Sequence, residues 1–114
     1  MKIKEKAKEY FKLFEKGNDI GLSEMYDDEI QLIDWGGSYN GKEDVLSMNR
    51  ELFESSKISV TIRSIEVGMS PAGFPSNRVY CKIYIQINND MIKVMDVIDF
   101  NEEGKITKIE AYKG

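Results

Sequence analysis

Histidine is absent from this chain, and cysteine and tryptophan occur once each. Without histidine there is no ordinary neutral-pH general base, no commonest metal ligand and no Ser-His or Cys-His nucleophile pair. Acid-base chemistry must then fall to carboxylates, tyrosine or lysine. The lone cysteine, Cys81, excludes an internal disulfide. Between Tyr80 and Lys82 in a strand-like run it reads as a small buried filler, which fits a reducing, cytoplasmic location. Long apolar runs are missing as well. No window approaches the roughly 18 residues of a membrane span, and the opening MKIKEKAKEYFK is charged throughout, unlike a leader peptide. Basic residues are outnumbered, 16 Lys+Arg against 20 Asp+Glu for a net charge of -4, and they are scattered, so nucleic acid is not an expected partner. The acidic run Asp27-Asp28-Glu29 lacks the spacing and glycine of a calcium loop, and neither metal nor cofactor is expected.

What is present is enough for one domain spanning residues 1–114. At 41% hydrophobic residues, a chain of this length can bury on the order of two-thirds of its unfolded surface. Residues 2–16 place Ile3, Ala7, Tyr10, Phe11 and Phe14 on one helical face, and Gly17-Asn18 ends the run. A shorter helix is expected over 19–26, with Asp27-Asp28 at its exit. The strand EIQLIDW over 29–35 stops at Gly36-Gly37. Asn40 with Glu43 forms a capping pair for a helix over 41–55 that turns Val45, Met48, Leu52 and Phe53 inward. Strands follow over 57–67, 78–88, 91–100 and 105–112, joined by a loop over 70–77 and by turns at 89–90 and 101–104. The expected architecture is α+β, with three helices packed on a curved, mostly antiparallel sheet.

Two aspartates stand in phase with apolar residues. In MIKVMDVIDF over 91–100, Ile92, Val94, Asp96, Ile98 and Phe100 share one face, and in EIQLIDW Asp34 shares a face with Ile30 and Leu32. Burying an unpaired carboxylate costs several kcal/mol or more, so such a group is neutralised, hydrogen-bonded or placed in a functional pocket. Enolisation needs a base beside a carbonyl and donors for the developing oxyanion. Two aspartates can divide that work if their surroundings drive their proton affinities apart. Mid-strand Asp96 is the expected acid and Asp34, at a strand end beside a glycine turn, the expected base. Each residue also has a plain structural reading. Asp34 could cap the amides of Gly36 or Gly37, Tyr10 could be a core tyrosine, and Asp96 could be tied to a neighbouring tyrosine or amide.

The order of elements, the Gly-Asn helix stop, the short strand ending in Asp-x-Gly, and 100-FNEEGKI-106 resemble the nuclear transport factor two-like superfamily. Within it the chain is similar to the ketosteroid isomerase and SnoaL-like polyketide cyclase branch. The resemblance implies a cystatin-like α+β cone, a sheet-face homodimer, and a cofactor-independent isomerase or cyclase acting on a small apolar carbonyl-containing ligand. It places Asp96 on the protonated oxyanion acid, Tyr10 on the companion donor and Asp34 near the general base. Phe14, Trp35, Met48, Asn49, Phe53, Tyr84, Val94 and Ile98 are the expected pocket lining. Trp35 directly after the base, and Asn49 where some isomerases carry a supporting tyrosine, depart from that pattern and imply a smaller pocket whose substrate need not be a steroid. The competing expectation is a non-catalytic ligand-binding or protein-interaction domain of the same fold.

Overall fold

The computed structural model describes residues 2–73 and 75–114. The elements run α1 (Ile3–Lys16), α2 (Asp19–Met25), β1 (Tyr26–Asp34), β2 (Gly37–Asn40), α3 (Lys42–Ser55), β3 (Ile58–Met69), β4 (Pro75–Ile87), β5 (Asp90–Phe100) and β6 (Ile106–Lys113). One six-stranded sheet has the order β2-β1-β6-β5-β4-β3. Strands β1 and β6 are parallel and the other neighbours antiparallel. The sheet is curved and unclosed, an α+β architecture with all three helices on it. Register shifts in β1 and β3 mark irregularities of the kind that bend a strand and increase its twist. No helix among the described residues is long and apolar enough to cross a membrane.

Helix α1 buries Ile3, Ala7, Tyr10 and Phe11 and packs against β3 and β4, while α3 packs against β1 and β2. Gly17 ends α1 in the left-handed conformation (φ 66°), which returns the Gly17 and Asn18 amides to the carbonyls of Phe14 and Leu13. The Asn18 side chain then accepts from the Gly21 amide at 2.9 Å and starts α2. At the sheet edge, the carboxylate of Glu15 accepts from the Val60 amide of β3 at 2.6 Å. An edge amide is thereby covered by the first helix.

Several boundaries differ from the sequence expectation. Asp27 and Asp28 lie inside β1, which begins at Tyr26. Gly36-Gly37 does not end the sheet, because Asp34 pairs with Gly37 and the chain returns as β2 through a two-residue Trp35-Gly36 turn. Asn40 does not cap α3. Its backbone belongs to the ladder opposite Gln31, so helix entry moves one residue on, to Gly41. The turn between β4 and β5 sits at Asn88-Asn89 rather than 89–90, with Ile87 facing Asp90. The loop expected over 70–77 is shorter, because β4 already starts at Pro75, which pairs with Met69; Phe74 lies outside the described residues.

Gly41 combines φ 89° with ψ 152°, a region that residues with a Cβ avoid. Space is not the obstacle, since an added Cβ would meet only the Asp28 carbonyl oxygen at 4.0 Å. Gly41→Ala should therefore lose about 1–3 kcal/mol of stability through backbone strain alone, read as a lowered denaturant midpoint. An unchanged midpoint would mean that the helix entry relaxes freely.

Candidate active site

The helices and the inner face of the sheet leave a cavity of about 430 Å³ whose lining includes Tyr10 from α1, Asp34 from the end of β1 and Asp96 from the middle of β5. Asp96 reaches it because β5 alternates. Val94, Asp96, Ile98 and Phe100 are all buried on the inner face. Its lateral partners are Cys81 and Ala111, both small, which leaves room above the carboxyl group. No hydrogen bond reaches Asp96 from any described residue, and it is 7% exposed. Burial, with the nearby charge of Asp34 second, pushes its pKa up to about 7.

Tyr10 is 3% exposed and packs edge-on against Phe11, with Phe14 tilted beside it. Its pKa is raised well above the usual tyrosine range, first by burial and then by Tyr26, Asp96 and Cys81. The hydroxyl therefore stays a donor at neutral pH. Burial also raises the phenol of Tyr26, which donates to Asn49 Oδ1 at 2.7 Å. Asn49 is fully buried, and its Nδ2 has no partner among the described residues. Tyr10, Tyr26 and Asn49 thus form a chain of polar groups running from the cavity into the core. Tyr26→Phe would leave the Asn49 oxygen unpaired as well, so we expect a loss of about 1–3 kcal/mol. Equal denaturant midpoints for the two proteins would contradict this.

Asp34 is half-buried, and its Oδ1 accepts from the amides of Gly36 at 2.7 Å and Gly37 at 3.0 Å. These bonds hold the carboxylate across the mouth of the two-residue turn. No described residue donates to Oδ2. The structural and chemical readings of Asp34 are thus compatible, because one oxygen serves the turn and the other is unengaged.

Of the expected lining, Phe14, Trp35, Met48 and Val94 are in place. Four residues are not. Tyr84 lies on the outer face of β4, opposite in phase to Ile83 and Ile85, beneath the cations of Arg63 and Lys93. Phe53 packs edge-on to Phe14 and covers Gly17 rather than the cavity. Ile98 is fully buried core, and Asn49 turns to Tyr26. Lining residues that the sequence reading did not name include Tyr39, Glu51, Leu52 and Ser55. The last three follow Met48 at helical spacing, a signal present in the sequence. Tyr39 required the unrecognised strand β2, where it pairs with Leu32. Cys81 is buried as expected, with its thiol pushed up to about 12 by burial. Asp99, on the opposite face from Asp96, is held by Arg78 through bonds of 2.6 and 3.1 Å. Among the described residues, no group of three or more Cys, Asp or Glu side chains is placed to hold a metal ion.

No family model and no curated protein matches the sequence. Solved structures do match its shape. An NTF2-like protein of unknown function from Cytophaga hutchinsonii is 13% identical with a TM-score of 0.83, covering 100% of this chain and 91% of that one. A candidate ketosteroid isomerase from Kribbella flavida is 10% identical with a TM-score of 0.82, covering 98% and 77%. SalBIII, an epoxide hydrolase/cyclase-like enzyme of pyran ring formation in the polyether salinomycin, is 19% identical with a TM-score of 0.80, covering 99% and 91%. At such identities the likeness extends to architecture and not to individual residues. The chain has the fold of the nuclear transport factor two-like superfamily.

Proposed function

We propose that the protein is a cofactor-independent enzyme that moves a proton next to a carbonyl group in a small, largely apolar molecule. The observation that carries this reading is the convergence of Tyr10, Asp34 and Asp96, from three separated segments, on one apolar cavity. The unengaged Oδ2 of Asp34 removes a proton from the carbon beside the carbonyl. The electron pair of that C–H bond moves into the enolate, and charge gathers on oxygen. Tyr10 and protonated Asp96, both buried, donate hydrogen bonds to that oxygen at the inner end of the cavity, where such bonds are strong. The carboxyl of Asp34 then delivers a proton to a conjugated carbon, which gives isomerisation, or, after trading its proton with solvent, to the original carbon, which gives exchange.

The direct test is solvent deuterium entering small cyclic ketones in the presence of the protein, followed by mass spectrometry. Incorporation should require Asp34 and Tyr10. Because protonated Asp96 is the donor and its pKa is about 7, kcat/KM should fall as the pH rises above that value. A profile flat to pH 9 would remove Asp96 from the chemistry.

One observation favours a second reading, a ligand-binding domain without chemistry. Both turn amides are spent on Asp34, as a purely structural aspartate would require. Phenols, which mimic the enolate, would then bind and quench Trp35 at the cavity mouth, while no ketone would take up deuterium.

A further inference from the structure

The largely apolar cavity carries acidic but no basic side chains in its described lining. Three carboxyl side chains line it, Asp34, Glu51 and Asp96, and no lysine or arginine is among its described lining residues. Glu51 is exposed, on the third helix one turn before Ser55, and no described residue pairs with it. At the mouth, the Nζ of Lys113 lies 5.7 Å from the centre of the Trp35 ring. At the other end of the cavity Asp96 is more than nine-tenths buried, points into the empty space and has no hydrogen-bond partner. The three carboxyl groups are not clustered closely enough to share a metal ion.

We propose that the ligand is an apolar carbonyl compound carrying a basic amine, with its oxygen at Tyr10 and Asp96 and its ammonium group at Glu51 on the rim. This rests on the reading of the inner end as an oxyanion site. A buried unpartnered acid calls for an acceptor inside, and the carboxylate of Glu51, with no lysine or arginine beside it in the described lining, is free to take a donor cation. The aromatic and aliphatic walls between them, including Phe14, Leu52 and Val60, suit the apolar body that joins the two. Ligands ending in carboxylate or phosphate are disfavoured, because they would face Asp34 and Glu51 with no compensating cation in the lining.

The test uses para-alkylphenols with chains of increasing length, each ending in methyl, ammonium or carboxylate, titrated by NMR at low salt. The phenol end reports the oxyanion site and the chain end reports the rim. For the best chain length, ammonium should bind about three- to fivefold more tightly than methyl, the range expected of one partly exposed ion pair. The carboxylate member should be the weakest of the three. Glu51→Gln should bring the ammonium-to-methyl ratio to within about twofold, and added salt should do the same to the intact protein. If all three end groups bind equally, or carboxylate binds best, the amine proposal falls while the oxyanion site stands. If none of the phenols binds, the oxyanion reading falls and this one with it.

Discussion

Replacing Asp34 by asparagine is expected to slow ketone exchange by about a hundred- to ten-thousand-fold, the usual worth of a positioned base. Asparagine keeps a side-chain oxygen able to accept the Gly36 and Gly37 amides, now bonded at 2.7 and 3.0 Å, so the turn should survive. The unengaged Oδ2 becomes an amide nitrogen that cannot take a proton. Binding of phenols should persist, since Tyr10 and Asp96 still donate. The variant has a second readout. Asp34 is the second cause of the raised pKa of Asp96, so losing its charge should move the Asp96 titration downward, which 13C NMR of the carboxyl carbon would follow. Exchange at the original rate would remove Asp34 as the base. An unmoved Asp96 titration would mean that the two carboxyl groups do not sense one another.

Replacing Asp96 by asparagine should change the pH dependence of stability more than any other single substitution at the site. The carboxyl of Asp96 has a pKa of about 7 in the folded protein against 3.8 in the reference state. Between those values the native protein holds a proton that the unfolded chain has released. Stability from this group is therefore complete below about pH 4, falls as the pH rises toward 7, and levels off above it. At about 1.4 kcal/mol per pKa unit, the whole loss is on the order of 4 kcal/mol. Asparagine does not titrate, so the stability of Asp96→Asn relative to the parent should climb across this window and flatten above it. Denaturant unfolding at pH 4.5, 6 and 8 would show the climb. Parallel curves for the two proteins would mean that Asp96 is not held in an apolar environment.

Much of the fold was legible in the chain because periodicity is a local property. The apolar stripe of α1, the alternation in β5 and the Gly17 stop each arise from residues within a few positions of one another, and each appears in the structure. The same alternation already showed that Asp96 faces the core and Asp99 the outer surface. Features that failed depend on pairing between distant segments. Asn40 looks like a helix cap until β2 binds its backbone opposite Gln31, and Gly36-Gly37 looks like a strand end until Asp34 closes the turn. Tyr84 was misplaced for a different reason. Its parity against Ile83 and Ile85 was readable, but an aromatic residue in a strand is easily assigned to the inside.

The sequence by itself determined which groups could take part in chemistry. With no histidine and one cysteine, the choice narrowed to carboxylates, tyrosine and lysine, and the strand phase put Asp34 and Asp96 on apolar faces. Only the tertiary structure decided that these groups share a cavity, that Asp34 spends one oxygen on its own turn, and that Asn49 and Phe53 are turned away. The physical reason is that burial and electrostatic coupling depend on what the rest of the chain packs around a residue. The raised pKa of Asp96 comes from desolvation first and from Asp34 second, and Asp34 lies far from it in sequence.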